Sequence, residues 1–119
     1  MEFITAPDKA DYIELGDAVN ISSNSMWRHK KRMLLFAAVY GFGLASRAVD
    51  GTSHLFFAWS RLQRAVFSEN LCAFIMKNGV VVFFRRQDAP PTWDARAFLA
   101  TVRPDIVPQE VRTGIRRKI

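Results

Sequence analysis

Fourteen consecutive residues without a charge, 33–46, follow directly on the basic cluster Arg28, His29, Lys30, Lys31 and Arg32. A run of that length must leave water, in a bilayer or in a packed interior, so the rest of the chain folds around that requirement. Ser22 and Ser23 offer helix caps ahead of it and Gly51 a stop behind it, which predicts a helix of roughly 26 residues, about 39 Å long, ending near Val49. Gly41 and Gly43 would each weaken a water-exposed helix by up to about 1 kcal/mol, whereas in a membrane small residues let helices approach closely. The run is apolar on every side, and its leading edge carries the densest positive cluster of the chain, as cytoplasmic flanks do. Against a simple span, it is shorter than the roughly 18 residues a crossing needs. Extension to Val49 takes in Arg47, which can snorkel to the interface. Two readings stay open. One is a short membrane-contact helix with Arg28, Lys30, Lys31, Arg32 and Arg47 on an anionic surface; the other is the buried central helix of a soluble homo-oligomer.

Charge separates the chain into parts. Residues 1–27 carry a net charge of −4, residues 28–32 add +4, and residues 33–119 add +6. A chain of 119 residues, half of them hydrophobic, can bury one core and is not of disordered composition. Its net +6 favours anionic membranes or nucleic acid as partners. The one cysteine, Cys72, permits no internal disulfide and suits a reducing compartment. The acidic amino-terminal stretch lacks the apolar segment of a signal peptide.

Short elements are expected elsewhere. Asp8 caps a helix over residues 9–16, stopped at Gly16. The apolar stretch from His54 to Trp59 reads as a strand. From Leu62 to Phe67 the pattern alternates, with Leu62, Arg64 and Val66 on one side. Residues 71–76 and 80–84 form a hairpin through Lys77, Asn78 and Gly79, a type I′ turn signal. Pro90 and Pro91 end the second strand, and Thr92 caps a helix over residues 93–102 closed by Pro104.

No catalytic constellation is apparent. His29, His54 and Cys72 lack metal-ligand spacing, the carboxylates are scattered, and nucleotide-binding and nucleophile-elbow motifs are missing. No metal, no cofactor and no enzymatic activity are therefore expected. Arg28 and Arg32 match the Arg-x-x-x-Arg element of cyclic-dinucleotide-binding PilZ domains, but the second element of those domains is missing. Arg61, Arg64, Arg85 and Arg86 could share a sheet face with Trp59 as a stacking platform, which would suit nucleic acid or another ligand.

The order of features resembles the YcxB-like family of small bacterial membrane proteins. The similarity lies in the opening stretch through Asp11, Tyr12 and Leu15, in the serines and cations from Ser22 to Arg32, and in the Trp59–Leu62 element with Val66 and Leu71 behind it. Phe83, Phe84, Arg85 and Arg86 stand where the family tends to have Ile-Pro-Lys-Arg, with Phe84 in place of the proline, and Phe98 falls in its last helix. The resemblance implies a carboxyl-terminal module similar to bacterial pleckstrin-homology-like domains, serving binding or scaffolding. The family normally has two membrane helices, and this chain has room for one.

Together these readings predict an α+β fold: a long apolar amino-terminal helix, then a small antiparallel sheet and a closing helix. They divide the chain into an acidic segment 1–21, a basic and apolar segment 22–50, a β module 51–103 and a basic tail 104–119. The expected role is that of a membrane-associated accessory or scaffold protein on the cytoplasmic side, partnered by anionic lipids or a membrane protein. A soluble nucleic-acid-binding module and a soluble homo-oligomer are the alternatives.

Overall fold

The computed structural model describes residues 2–20, 35–39, 43–48 and 54–114. The fold is α+β, with two four-stranded sheets. The first sheet has the order β1 (Glu2–Thr5), β2 (Leu35–Val39), β3 (Gly43–Ala48) and β4 (His54–Ala58), all antiparallel. The second has the order β7 (Val81–Arg85), β6 (Leu71–Met76), β5 (Leu62–Phe67) and β8 (Gln109–Glu110), with β8 parallel to β5. Helix α1 (Lys9–Val19) and helix α2 (Ala95–Val102) complete the described elements.

The expected long apolar helix is overturned. Residues 35–39 and 43–48 are strands, paired so that Val39 faces Leu44 and Leu35 faces Ala48. Among the described residues no helix is long and apolar enough to cross a membrane. A helical oligomer interface over residues 33–46 falls with the same observation. An apolar run of this length suits paired strands as well as a helix, so periodicity could not separate them. Gly43 decides locally. A Cβ there would lie 2.7 Å from the Phe57 carbonyl oxygen and clash with the edge of the Phe56 ring, so any other residue would force β4 or that ring to shift. Residues 28–32 and Gly51, where the cations and the helix stop were expected, lie outside the described residues.

Helix α1 begins where Asp8 predicts. Asp8 accepts from the Asp11 N–H at 2.9 Å and Asp11 accepts in return from the Asp8 N–H at 2.8 Å, a reciprocal cap. It passes Gly16 and stops at Asn20, in the left-handed region with φ 60°. The 3₁₀ turn Trp59–Arg61 carries the chain from the first sheet to the second. A β-bulge between Leu62 and Arg64 then breaks the expected alternation. It turns Leu62 into the same core as Ala65 and Phe67, leaving Arg64 and Val66 on the opposite face.

The β6–β7 hairpin has a different turn from the one expected. Only Gly79 has positive φ, at 87°, and its N–H donates to the Met76 carbonyl. Asn78 instead accepts from the Val80 N–H through its side chain. This is the type I turn with a glycine in αL, not type I′. Helix α2 starts two residues later than expected, because Asp94, not Thr92, receives the Arg96 and Ala97 N–H groups.

Every residue of β6 is buried, so the second sheet is covered on both faces. On one face Leu71, Ala73, Ile75 and Val66 meet Leu15 and Val19 of α1. On the other Cys72, Phe74, Met76 and Phe84 meet Leu99 of α2 and Phe3 of the first sheet. Five rings there form a closed circuit, Phe84–Trp93–Phe98–Trp59–Phe74, with successive centroids 5.2–6.0 Å apart. Phe84, the residue that departs from the YcxB-like pattern, belongs to that circuit and also contacts Phe3 edge-on at 5.0 Å.

Candidate functional site

Two places bring chemistry-bearing groups together. The first is the contact between α1 and the second sheet. Helical spacing puts Asp11, Glu14 and Leu15 on one face, and that face is the buried one. Glu14 accepts from the Ser68 hydroxyl at 2.5 Å, the Asn70 N–H at 3.0 Å and the Asn70 side-chain amide at 2.9 Å. Asp11 stands 3.7 Å from the Arg85 guanidinium, which also donates to the Ala6 carbonyl at 3.0 Å. Asp88 accepts from the Thr5 hydroxyl at 2.8 Å and lies 3.7 Å from Arg85. Burial, and secondarily the charge of Asp11, push the neighbouring Tyr12 hydroxyl up to about 12. Among the described residues no buried side-chain nitrogen or oxygen lacks a hydrogen-bond partner. Carboxylates held this way fix α1 on the sheet.

The second place is a half-open cavity of about 250 Å³ at the start of α2, lined by Cys72, Phe84, Arg86, Ala89, Trp93, Asp94 and Ala95. It exists because Pro90 and Pro91 carry the chain off the end of the second sheet, and small Ala89 and Ala95 leave room before α2 begins. Burial pushes the Cys72 thiol up to about 12, against the opposing pull of the Arg86 charge. The thiol is therefore protonated and presents an apolar wall, not a nucleophile. Arg86 donates to the Ser68 carbonyl at 3.0 Å, which holds its guanidinium at the cavity edge. Among the described residues no cluster of three or more His, Cys, Asp or Glu could hold a metal ion.

The proposed arginine and tryptophan face does not assemble. Trp59 is buried against Phe74 and Phe98, so its ring cannot serve as a stacking platform. Arg64 and Arg85 share the α1 face of the second sheet but sit at opposite ends of it, near Ile75 and Leu71. Arg64 reaches toward the Val19 carbonyl, and Arg85 is engaged by Asp11 and Asp88. Arg61 is exposed on the 3₁₀ turn, and Arg86 belongs to the cavity. Of the expected membrane-contact cations, Arg28, Lys30, Lys31 and Arg32 lie outside the described residues, and Arg47 stands in β3 opposite Phe36 and His54.

Asp11 and Glu14 are among the carboxylates that look scattered in the sequence, and the fold gives them shared work. Their signal was the spacing i, i+3 beside Tyr12 and Leu15, which puts acids on the apolar side of a short helix. No protein-family model, curated protein or solved structure matches this chain.

Proposed function

We propose that the protein is a non-catalytic, membrane-associated binding module that docks on an anionic lipid surface through the outer face of its first sheet. The observation that carries this reading is the pair Ile4 and Phe56, each 52% exposed, on β1 and β4 at the two sides of that sheet. Residues directly opposite across antiparallel strands share a face. The register row Glu2, Ala38, Ala45, Phe56 therefore puts Phe56 on the face of Glu2 and Ile4, away from buried Phe3 and Thr5. The row through Ile4 continues to Phe36, Arg47 and His54. In the sequence the cations Arg28, Lys30, Lys31 and Arg32 come shortly before β2, which starts at Leu35. An apolar strip supplied with cations suits an interface that takes rings into the headgroup layer and phosphates against lysine and arginine. The resemblance to YcxB-like proteins, with their pleckstrin-homology-like modules, points the same way.

Co-sedimentation with phosphatidylcholine vesicles, with and without phosphatidylglycerol, tests the proposal. Binding should require the anionic lipid and weaken with salt. At about 1 kcal/mol per cation near the surface, changing Arg28, Lys30, Lys31 and Arg32 to Ala should cost up to about three orders of magnitude. Phe56→Ser should weaken the part that salt leaves intact. Failure to bind anionic vesicles at low salt sinks the proposal, and duplex DNA binding in its place would favour the nucleic-acid alternative.

A further inference from the structure

We propose that the cavity at the start of α2 is a binding site for a small aromatic carboxylate, with the ring against Phe84 and Trp93 and the carboxylate on Arg86. Size, wall chemistry and charge each narrow the ligand.

Size comes first. An engineered apolar cavity of about 150 Å³ takes benzene, whereas sites for drug-sized ligands begin near 300 Å³. At about 250 Å³ this cavity accommodates one ring with a short substituent and excludes a nucleotide. The walls select a ring. Phe84 and Trp93 pack on each other with centroids 5.8 Å apart at an interplanar angle of 50°, and both line the cavity as one aromatic wall. A ligand ring laid against that wall from the cavity side makes the tilted contacts that aromatic groups prefer. Ala89, Ala95 and the protonated Cys72 thiol add apolar surface without competing donors.

Charge settles the substituent. The rim carries one cation, Arg86, and one anion, Asp94. Asp94 is committed to α2, where its Oδ1 receives both the Arg96 and the Ala97 N–H groups. Arg86 meets Ser68 with one N–H of its fork, and the planar guanidinium has five, so it can pair a carboxylate in addition. Arg86 is also held by that bond at the edge of the cavity, which lowers the cost of ordering it on binding. The site is separate from the lipid-facing strip, since Ile4 and Phe56 are not among its lining residues.

Titration of the intact protein with phenylacetate, followed by ¹H–¹⁵N NMR, tests the assignment. The amides of Cys72, Ala89 and Ala95 should shift in a saturable way, while those of β2 and β3 should not. Toluene, which lacks the charge, and acetate, which lacks the ring, should each bind at least about tenfold more weakly, the size of one charge-assisted contact. Arg86→Gln should weaken phenylacetate by the same factor without altering toluene. Ala95→Leu, which extends a partly buried lining side chain into the cavity, should abolish both. No saturable shift at millimolar phenylacetate overturns the proposal. So does benzylamine binding more tightly than phenylacetate, which would assign the rim to Asp94. Equal affinity for toluene and phenylacetate would leave an apolar hole and remove the role of Arg86.

Discussion

The second sheet is covered by a helix on each face, yet the two covers are built from opposite chemistry. Helix α1 adds carboxylates to the packing of Leu15 and Val19: Asp11 and Glu14 are fully buried and reach Arg85, Ser68 and Asn70. Helix α2 docks through volume, with Leu99 buried and Phe98 in the aromatic circuit. Hydrogen bonds to a buried carboxylate tolerate almost no displacement, so the α1 face fixes position. Apolar packing tolerates replacement when volume is kept, so the α2 face can leave an unfilled cavity at its edge without orphaning a polar group. The two faces should therefore fail in different ways.

The sharpest test of that difference is Glu14→Ala. It leaves the Ser68 hydroxyl and both Asn70 donors without their buried acceptor, and the expected loss is about 4 kcal/mol. Leu99→Ala, on the other face, should cost about 3 kcal/mol through lost burial and a new void. Glu14→Gln should recover only part of the first loss, because its amide nitrogen would face a donor. Leu99→Met should recover most of the second, because volume is nearly restored. Urea unfolding reads all four variants. Recovery by Gln as complete as by Met would erase the distinction between the faces.

Alkaline pH separates the faces without a large structural change. Tyr12 lies on the α1 face and Cys72 on the α2 face, and both hold their protons to about pH 12 in the folded chain. Unfolded, they release them near pH 10 and about pH 8.5. Between those values the folded chain binds more protons, so their contribution is complete at the lower pH and is lost as pH rises toward 12. For Tyr12 that contribution is on the order of 2–3 kcal/mol. The Cys72→Ala variant should flatten the fall in stability from about pH 8.5 upward, and Tyr12→Phe only from about pH 10. Stability of the unaltered protein that stays level from pH 8 to 12 would contradict both assignments.

Elements with their own local chemistry were legible in the sequence. Asp8 announces the start of α1, and Gly79 announces a turn even though the turn type differs. The apolar run was not legible, because β2 and β3 lie end to end in sequence and neither alternates. Gly43, the first residue of β3, can be absorbed by a helix reading as a membrane glycine. The polar anchors of α1 were hidden for a different reason. Asp11 and Glu14 are acids on a short helix, and their partners Ser68, Asn70 and Arg85 are more than fifty residues away. Trp59 misled because aromatic surplus reads equally as a stacking platform and as core. Only the ring circuit with Phe74 and Phe98 decides between them.

A third attachment on the α1 side is the segment that follows β8. Val111 packs against the same cluster as Leu15 and Val19, and Glu69 holds the backbone just beyond it. Both carboxylate oxygens are used: Oε1 accepts from the Thr113 N–H and Oε2 from the Gly114 N–H, each at 2.9 Å, and the Thr113 hydroxyl adds a longer bond. Burial raises the Glu69 carboxyl, but those bonds outweigh it and bring it down to about 2. A depressed carboxyl stabilises the fold above its unfolded value, near 4.3, and that contribution disappears as pH falls toward 2. Because Glu69 is exposed, solvent screens most of the gain, and Glu69→Gln should cost less than about 1 kcal/mol of global stability. The local effect is larger than the global one. Hydrogen exchange at the Thr113 and Gly114 amides should speed up in Glu69→Gln at neutral pH, while the β6 amides stay protected. Unchanged exchange at those two amides would mean that the strand pairing of β8 with β5, and not the carboxylate, holds the segment down.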